Sequence, residues 1–356
     1  MDGHCVETSA DTLTAKRYQP VPAGHDPRVI STGLVARMLA IPGLELRLNV
    51  DLSRYSRWKI GGNADCVICP HTPAALQQVV QLARATRTPT TVIGLSSNLL
   101  FPQEGIRALV IHLGRQFSAL QINGTRVWAQ AGIWVPGFAR SLARLGLTGM
   151  EHLAGIPGTL GGLICMNGGS QRQSISDHLQ FLTTLDADGV FHTWPRERCE
   201  FTYRHSPFQN NRHIITDASF EFKKAQDPLA VRRSMKRILE QRRHKFPQKT
   251  PNCGSVFVSD PRLYEHFGPP GAVIEQCGLK GTAHGGAEIS RLHANFIVNR
   301  GGASSTDVLY LIDLIRTTVR RRTGLDLIAE AKYMDAMGTI TPAHVAASRL
   351  RREGRL

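Results

Sequence analysis

"HLAGIPGTLGGLICMNGG", residues 152–169, holds six glycines and one proline in eighteen residues and no acid. A stretch so poor in functional groups is useful for its backbone: without Cβ atoms in the way, successive N–H groups can converge on an anion. Two earlier segments share this character, "KIGGNAD" (59–65) and "VIGLSSNLL" (92–100). Each joins stretches that read as regular elements, and three in order point to a cradle for a phosphate-bearing cofactor rather than to incidental tight turns. No GKS or GKT follows, which sets aside a P-loop. GxGxxG after a first strand is missing, which disfavours a standard Rossmann site. The residues alone leave the identity of the cofactor open.

Around these loops the chain alternates short strands and helices. "DCVICP" and "TTVIGL" read as strands, and "TPAALQQVVQLARATRT" between them reads as a helix. Thr72 is its N-cap, Pro73 takes its first position, and Leu76, Val79, Val80 and Ala83 share one face, so the three segments form a βαβ unit. Strand-like runs continue through "ALVIHL", "RVWAQAG" and the hairpin "FLTTLDADGVFHTW", turned by Asp188-Gly189. Asp227-Pro228 starts a basic helix running to about Lys245, and this places a domain boundary near 226. A loop at 247–254, a helix near 271–277, a strand in "HANFIVN" and a helix from about Ser305 to Thr323 follow. On the last of these Val308, Leu311, Ile312 and Ile315 share a face, and "LDLIAEAKYM" reads as a closing strand.

A chain of 356 residues, 42% apolar and 20% charged, has room for two or three compact domains. No run of eighteen uncharged apolar residues appears, so a membrane span is not expected. Residues 1 to about 30 read as a disordered lead without the apolar core of a signal peptide, and the default compartment is the cytoplasm. Seven cysteines, an odd number, fit reduced thiols. The lone CxxC at Cys66 and Cys69 lacks a second pair and lies on a strand, where it faces two ways, so no metal site is expected. The net charge of +15 concentrates in 231–249, 316–324 and 348–356 and favours anionic partners. Most of it reads as solvated helix faces. An aromatic content of 6% without stacking motifs weighs against nucleic acid.

"SRYSRWKIGGNAD", "VIGLSSNLLFPQEGIRALVIHL", "GMEHLAGIPGTLGGLICMNGG", "FTYRHSPF", "TPNCGSVF", "AVIEQCGLKGTAHGGAEISRLHANFIVN" and "GLDLIAEAKYM" stand here in fixed order over about residues 45–335. This series resembles the UDP-N-acetylenolpyruvoylglucosamine reductase family of flavoenzymes, in its shorter subtype. The resemblance implies an α/β fold in which a two-lobed FAD-binding domain of the vanillyl-alcohol-oxidase (PCMH) type precedes a smaller α/β substrate-binding domain. The expected division is a lead and short helix over 1–45, FAD lobes over 46–115 and 116–226, the substrate domain over 227–340, and a basic tail over 341–356.

The resemblance also implies non-covalent FAD between the lobes, NADPH as reductant and a UDP-sugar enolpyruvyl ether as substrate. Gly155, Ile156, Gly158, Thr159, Gly161 and Gly162, with Gly94, Ser96, Ser97 and Asn98, would wrap the flavin diphosphate, and Gly61 and Gly62 would support them. Arg204 in "YRHS" would bind the substrate carboxylate and steady developing negative charge. Glu330 would sit opposite it in protonated form, and Ser255 would deliver a proton to C2. Tyr203, Asn252 and His293 share these motifs as candidate substrate contacts, with simple packing the alternative, favoured for His293.

The chain departs from the family pattern at Ser96, where glycine is usual, in "FPQEG", in "MNGGSQR", at Val258 and at Asp335. Two other readings therefore stand beside the reductase. One is a divergent flavin reductase for another nucleotide-sugar or enolpyruvyl substrate. The other is a non-catalytic basic binding protein on the same scaffold, against which the retention of Arg204, Ser255 and Glu330 argues.

Overall fold

The structure is a computed structural model and describes residues 30–210 and 212–356; most of the expected N-terminal lead lies outside them. The first lobe comprises α1 (Thr32–Leu39), β1 (Leu44–Asp51), β2 (Asn63–Pro70), α2 (Pro73–Ala85), β3 (Thr90–Ile93), β4 (Leu99–Leu100) and β5 (Ile106–His112). Its sheet runs β1-β2-β5-β3, with β1 antiparallel to β2 and the other pairs parallel. The central strands are near-continuous apolar runs because both faces are covered. On β2, Cys66 and Ile68 pack with Leu76 and Val79 of α2, while Val67 and Cys69 pack with Leu52 and Met334. The expected cap of α2 is present, Thr72 Oγ1 accepting from the Ala75 amide at 3.1 Å.

The second lobe contains β6 (Leu120–Asn123), β7 (Arg126–Gln130), α3 (Val135–Arg144), β8 (Leu147–Thr148), α4 (Leu160–Cys165), β9 (Leu179–Asp186), β10 (Phe191–Pro195), β11 (His213–Glu221) and β12 (Lys223–Lys224). Five of these strands form an antiparallel sheet, β10-β9-β11-β7-β6. The β9–β10 hairpin turns at Gly189, whose φ of +79° suits glycine. Helix α5 (Pro228–Lys245) follows. The boundary expected near 226 is corrected here: Val231 and Met235 of α5 join the same core as Phe138, Leu142 and Phe222, so α5 packs as part of the second lobe.

The C-terminal domain contains α6 (Pro261–Phe267), α7 (Pro270–Gln276), β13 (Ala283–His284), β14 (Ala287–Ile289), β15 (Ile297–Asn299), α8 (Ser305–Thr323), β16 (Lys332–Met334), β17 (Ile340–Pro342) and α9 (Ala343–Arg352). Helix α8 starts in a Ser304–Asp307 capping box and stops at Gly324, in the left-handed conformation at φ +74°. Its expected face, Val308, Leu311, Ile312 and Ile315, is fully buried. The strand expected in "LDLIAEAKYM" is shorter than read, beginning only at Lys332. It pairs in parallel with β4, Lys332 against Leu99 and Tyr333 against Leu100, and so ties the end of the chain to the first lobe. Trp58, wholly buried, makes a second tie: its Nε1 donates to the Ile297 carbonyl and its own carbonyl accepts from Asn299 Nδ2, both at 2.9 Å.

The basic tail expected over 341–356 is also corrected. Ala343, Ala346, Ala347 and Leu350 recur at helical spacing and bury against the α8 core, while Val345 and the arginines between them reach solvent. Leu350→Ala is expected to destabilise the protein by about 2 kcal/mol, the low end for a buried leucine because the site lies at the edge of the core. An unchanged denaturation midpoint would show that α9 is dispensable.

Candidate active site

Between the lobes and the C-terminal domain lies a cleft of about 660 Å³, within the range of small-molecule and cofactor sites. Two of the glycine-rich loops form its wall and touch each other. A Cβ on Gly94 would collide with the Thr159 hydroxyl, and one on Gly158 would meet Ser97 Oγ at 3.4 Å. Five cationic side chains line the cleft, Arg57, Arg140, Arg204, Arg242 and Lys332, against a single carboxyl, Glu330. That imbalance suits a ligand carrying several negative charges.

Gly94, Ser96, Ser97, Asn98, Gly155, Ile156, Gly158, Thr159 and Gly162 all line this cleft. Gly61, Gly62 and Gly161, expected among the cofactor residues, are packing glycines behind the wall. A Cβ on Gly61 would sit 3.0 Å from Phe101, one on Gly62 would strike the Gln103 carbonyl, and one on Gly161 would sit 2.8 Å from Ala131. Asn98 has a dual position. Its side-chain amide donates to the Glu330 carbonyl and its own carbonyl accepts from the Lys332 amide, both at 2.9 Å, so the cofactor loop grips the strand that follows Glu330.

At one end of the cleft three distant segments meet. Arg204 is held at φ +57°, a strained conformation for a side-chain-bearing residue, with one guanidinium nitrogen donating to the Gly169 carbonyl at 2.7 Å. Its Nε lies 3.2 Å from Glu330 Oε1 without good hydrogen-bond alignment, so the contact is chiefly charge–charge. Burial raises the Glu330 carboxyl above its ordinary range, against the opposing pull of Arg204 and Lys332. The Glu330 amide donates to the Val256 carbonyl at 2.8 Å, which sets Glu330 beside the segment carrying Ser255, also in the cleft wall.

The three candidate substrate contacts fare differently. Asn252 lines the cleft, but its Nδ2 donates to the Pro247 and Thr250 carbonyls and its Oδ1 accepts from the Gly254 amide, so it shapes the loop before Ser255. Tyr203 is 60% exposed and stacks under the Arg204 guanidinium at 5.1 Å, outside the cleft wall. His293 packs between Phe246 and Phe296, behind the wall that those rings form. Residues not singled out in the sequence also line the cleft: Trp134 with Arg140 stacked on it at 4.7 Å, Arg242, Phe246, Gln209 and Lys332.

The cleft fits a flavin dinucleotide on the chemistry of its own atoms. Among the described residues Ser96 Oγ and Arg242 Nε are buried without a hydrogen-bond partner, the kind of donors a diphosphate satisfies. Ser96 sits at φ +46°, where glycine is favoured. Ser96→Gly is therefore expected to stabilise the flavin-free protein by on the order of 1 kcal/mol, the left-handed penalty less the extra freedom of glycine when unfolded. A thermal midpoint that falls instead would mean that Ser96 is not strained.

Two α/β lobes around a cation-rich, backbone-walled cleft, with a third domain bringing a carboxyl and a hydroxyl to one end of it, define a nucleotide-cofactor oxidoreductase. Residues 64–194 match the FAD binding domain family and residues 246–334 match the UDP-N-acetylenolpyruvoylglucosamine reductase C-terminal domain family. The chain is 42% identical over 300 residues to UDP-N-acetylenolpyruvoylglucosamine reductase 1 of Corynebacterium glutamicum, covering 84% of this chain and 89% of that one. It is 39% identical to the reductase of Heliobacterium modesticaldum over 81% of this chain and 90% of that one. The crystal structure of the Thermus caldophilus enzyme, MurB, superposes with a TM-score of 0.68 at 31% identity, covering 82% of this chain and 98% of that one. The chain belongs to the UDP-N-acetylenolpyruvoylglucosamine reductase family.

Proposed function

We propose that this protein reduces UDP-N-acetylglucosamine enolpyruvate to UDP-N-acetylmuramate at the expense of NADPH, a step in peptidoglycan precursor synthesis. The observation that carries the reading is the meeting of Arg204, Glu330 and the Ser255 segment at one end of a cleft shaped for a dinucleotide. FAD, held by the "GLSSN" and "GIPGTLGG" loops, would supply hydride-transfer chemistry between NADPH and C3 of the enolpyruvyl group. The electron pair of the C2–C3 double bond then moves onto C2 and the adjoining carboxylate, and the residues of this chain act on that charge. Arg204, a permanent planar cation already fixed on Gly169, holds the carboxylate. Glu330, whose carboxyl burial holds above its ordinary range, would act in its acid form as a hydrogen-bond donor to the same developing charge. Ser255 gives its proton to C2 and regains one from solvent, so one hydride and one proton are added in total.

Support for a cytoplasmic location comes from the substrate chemistry and from the six described cysteines, all of them free. Among the described residues no helix is long and apolar enough to cross a membrane. The test is NADPH oxidation by the FAD-loaded protein with and without the enolpyruvyl UDP-sugar. Turnover that depends on that sugar supports the reading, and turnover indifferent to it removes the substrate assignment.

A further inference from the structure

A second hollow, of about 260 Å³, shares no lining residue with the cleft. It lies where the loop after β4, the end of β16, the start of α8 and helix α9 meet, so the first lobe and the C-terminal domain both build it. It falls below the roughly 300–1,000 Å³ of drug-sized sites, which suits a compact solute. Two hydroxyls in its wall are buried with nothing to bond. Tyr333 is 5% exposed and Ser305 3%, and among the described residues neither hydroxyl has a hydrogen-bond partner. The Ser305 and Thr306 amides, the first two of α8, are also unpaired among the described residues, because the capping box serves only the Asp307 amide and the Ser304 carbonyl takes that of Val308. The Asp307 carboxylate is committed to the Ser304 and Gly286 amides and to His284.

Charges of both signs surround the Tyr333 hydroxyl: the carboxylates of Glu104 and Asp335 and the guanidiniums of Arg349 and Arg355, all in the same wall. Burial, with the carboxylates behind it, pushes the phenol up to about 12 against the pull of the arginines, so it stays a neutral donor. Much of this charge is uncommitted. Among the described residues the Glu104 carboxylate has no hydrogen bond or ion pair. Asp335 spends one oxygen on the Met337 and Thr339 amides and keeps the other, and Arg349 has only Glu353, at 4.0 Å. An occupant of one sign would leave the opposite pole unsatisfied, whereas one carrying both signs satisfies each.

We propose that this hollow is a binding site for a small zwitterion, an α-amino acid, with its carboxylate on Arg349, Arg355 and the free α8 amides and its ammonium on Glu104 and Asp335. The Tyr333 hydroxyl stands between the two poles, and Leu350 and Met337 offer apolar surface to a short side chain. The site is independent of the reductase reading. Its occupant would nevertheless bear on the cleft, since Tyr333 pairs with Leu100 two residues after Asn98 and stands three residues after Glu330.

The test titrates the full-length, FAD-loaded protein with glycine, L-alanine and L-valine, reading the ligand C–H signals by saturation-transfer NMR. Acetate and methylammonium, one pole each, serve as controls. At least one amino acid should bind saturably, and each control at least about tenfold more weakly. Glu104→Gln and Arg349→Gln each remove one pole at an exposed position and should each weaken the amino acid by about tenfold, the size of a charge-assisted contact. Tyr333→Phe should leave the thermal midpoint of the ligand-free protein unchanged, since its hydroxyl has no bond to lose, and should weaken the amino acid by about 2- to 10-fold. Saturable binding by none of the three amino acids overturns the inference. So does acetate bound as tightly as the amino acids, since the hollow is then an anion site. An amino acid held as tightly by Glu104→Gln and Arg349→Gln as by wild type binds elsewhere and overturns it as well.

Discussion

Ser255→Ala is expected to slow reoxidation of the reduced flavin by the enolpyruvyl sugar by roughly 10² to 10⁴ while leaving reduction by NADPH near its wild-type rate. The asymmetry follows from where protons are needed. Hydride leaves NADPH without any proton from the protein, whereas C2 of the substrate must collect one. Ser255 lines the cleft just before Val256, whose carbonyl accepts from the Glu330 amide, so the backbone pairs the Ser255 segment with the one that carries Glu330. Gly254, at φ +91°, has open space around its missing Cβ, and Asn252 fixes the turn, so a methyl at 255 should not disturb the loop. Stopped-flow flavin absorbance in each half separates the two steps. Reoxidation at the wild-type rate would remove Ser255 from the chemistry.

For Glu330 the largest effect comes with alanine. On the proposed mechanism Glu330→Ala removes one of the two groups assigned to the developing carboxylate charge and leaves Arg204 without its 3.2 Å partner, for an expected loss on the order of 10² to 10³ in the second half-reaction. Glu330→Gln is the more informative variant. If the acid form is the donor, as proposed, the wild-type rate should be flat at low pH and fall as pH rises through the carboxyl's titration. Burial raises that titration, so the plateau extends to higher pH than an ordinary glutamate would allow. Glutamine keeps a neutral donor and does not titrate, so its profile should lose that limb while retaining more activity than alanine. A falling limb that survives unchanged in Glu330→Gln would assign it to another group.

Much of this was legible in the residues because motifs bring their own context. Arg204, Ser255 and Glu330 were named from three segments, and "GIPGTLGG" and "GLSSN" were read as the walls of one site. Arg242 was hidden in plain view: "QRRHKF" looks like a solvated basic run, and only the spacing from Val231, Met235 and Ile238 sets one arginine apart. Helix α9 is masked in the same way, since four arginines in the last nine residues obscure the spacing of the alanines and Leu350. The join between β4 and β16 could not have been read at all. Two residues carry no periodicity, and their pairing is decided by a partner more than two hundred positions away.

The tie at Trp58 bears on how the molecule comes to be made. Its ring belongs to the core of the C-terminal domain, and its indole partner, the Ile297 carbonyl, stands 239 positions later in the chain. At about 5–20 residues per second of synthesis, the tryptophan waits roughly tens of seconds for that partner to emerge. Proteolysis of ribosome-bound chains stopped near residue 245 should find the segment around Trp58 open to cutting, and protection there would contradict this. Until its last third is translated, the nascent chain lacks the core that covers the Trp58 ring. A chain cut short before that third has no C-terminal core in which to bury the Trp58 ring.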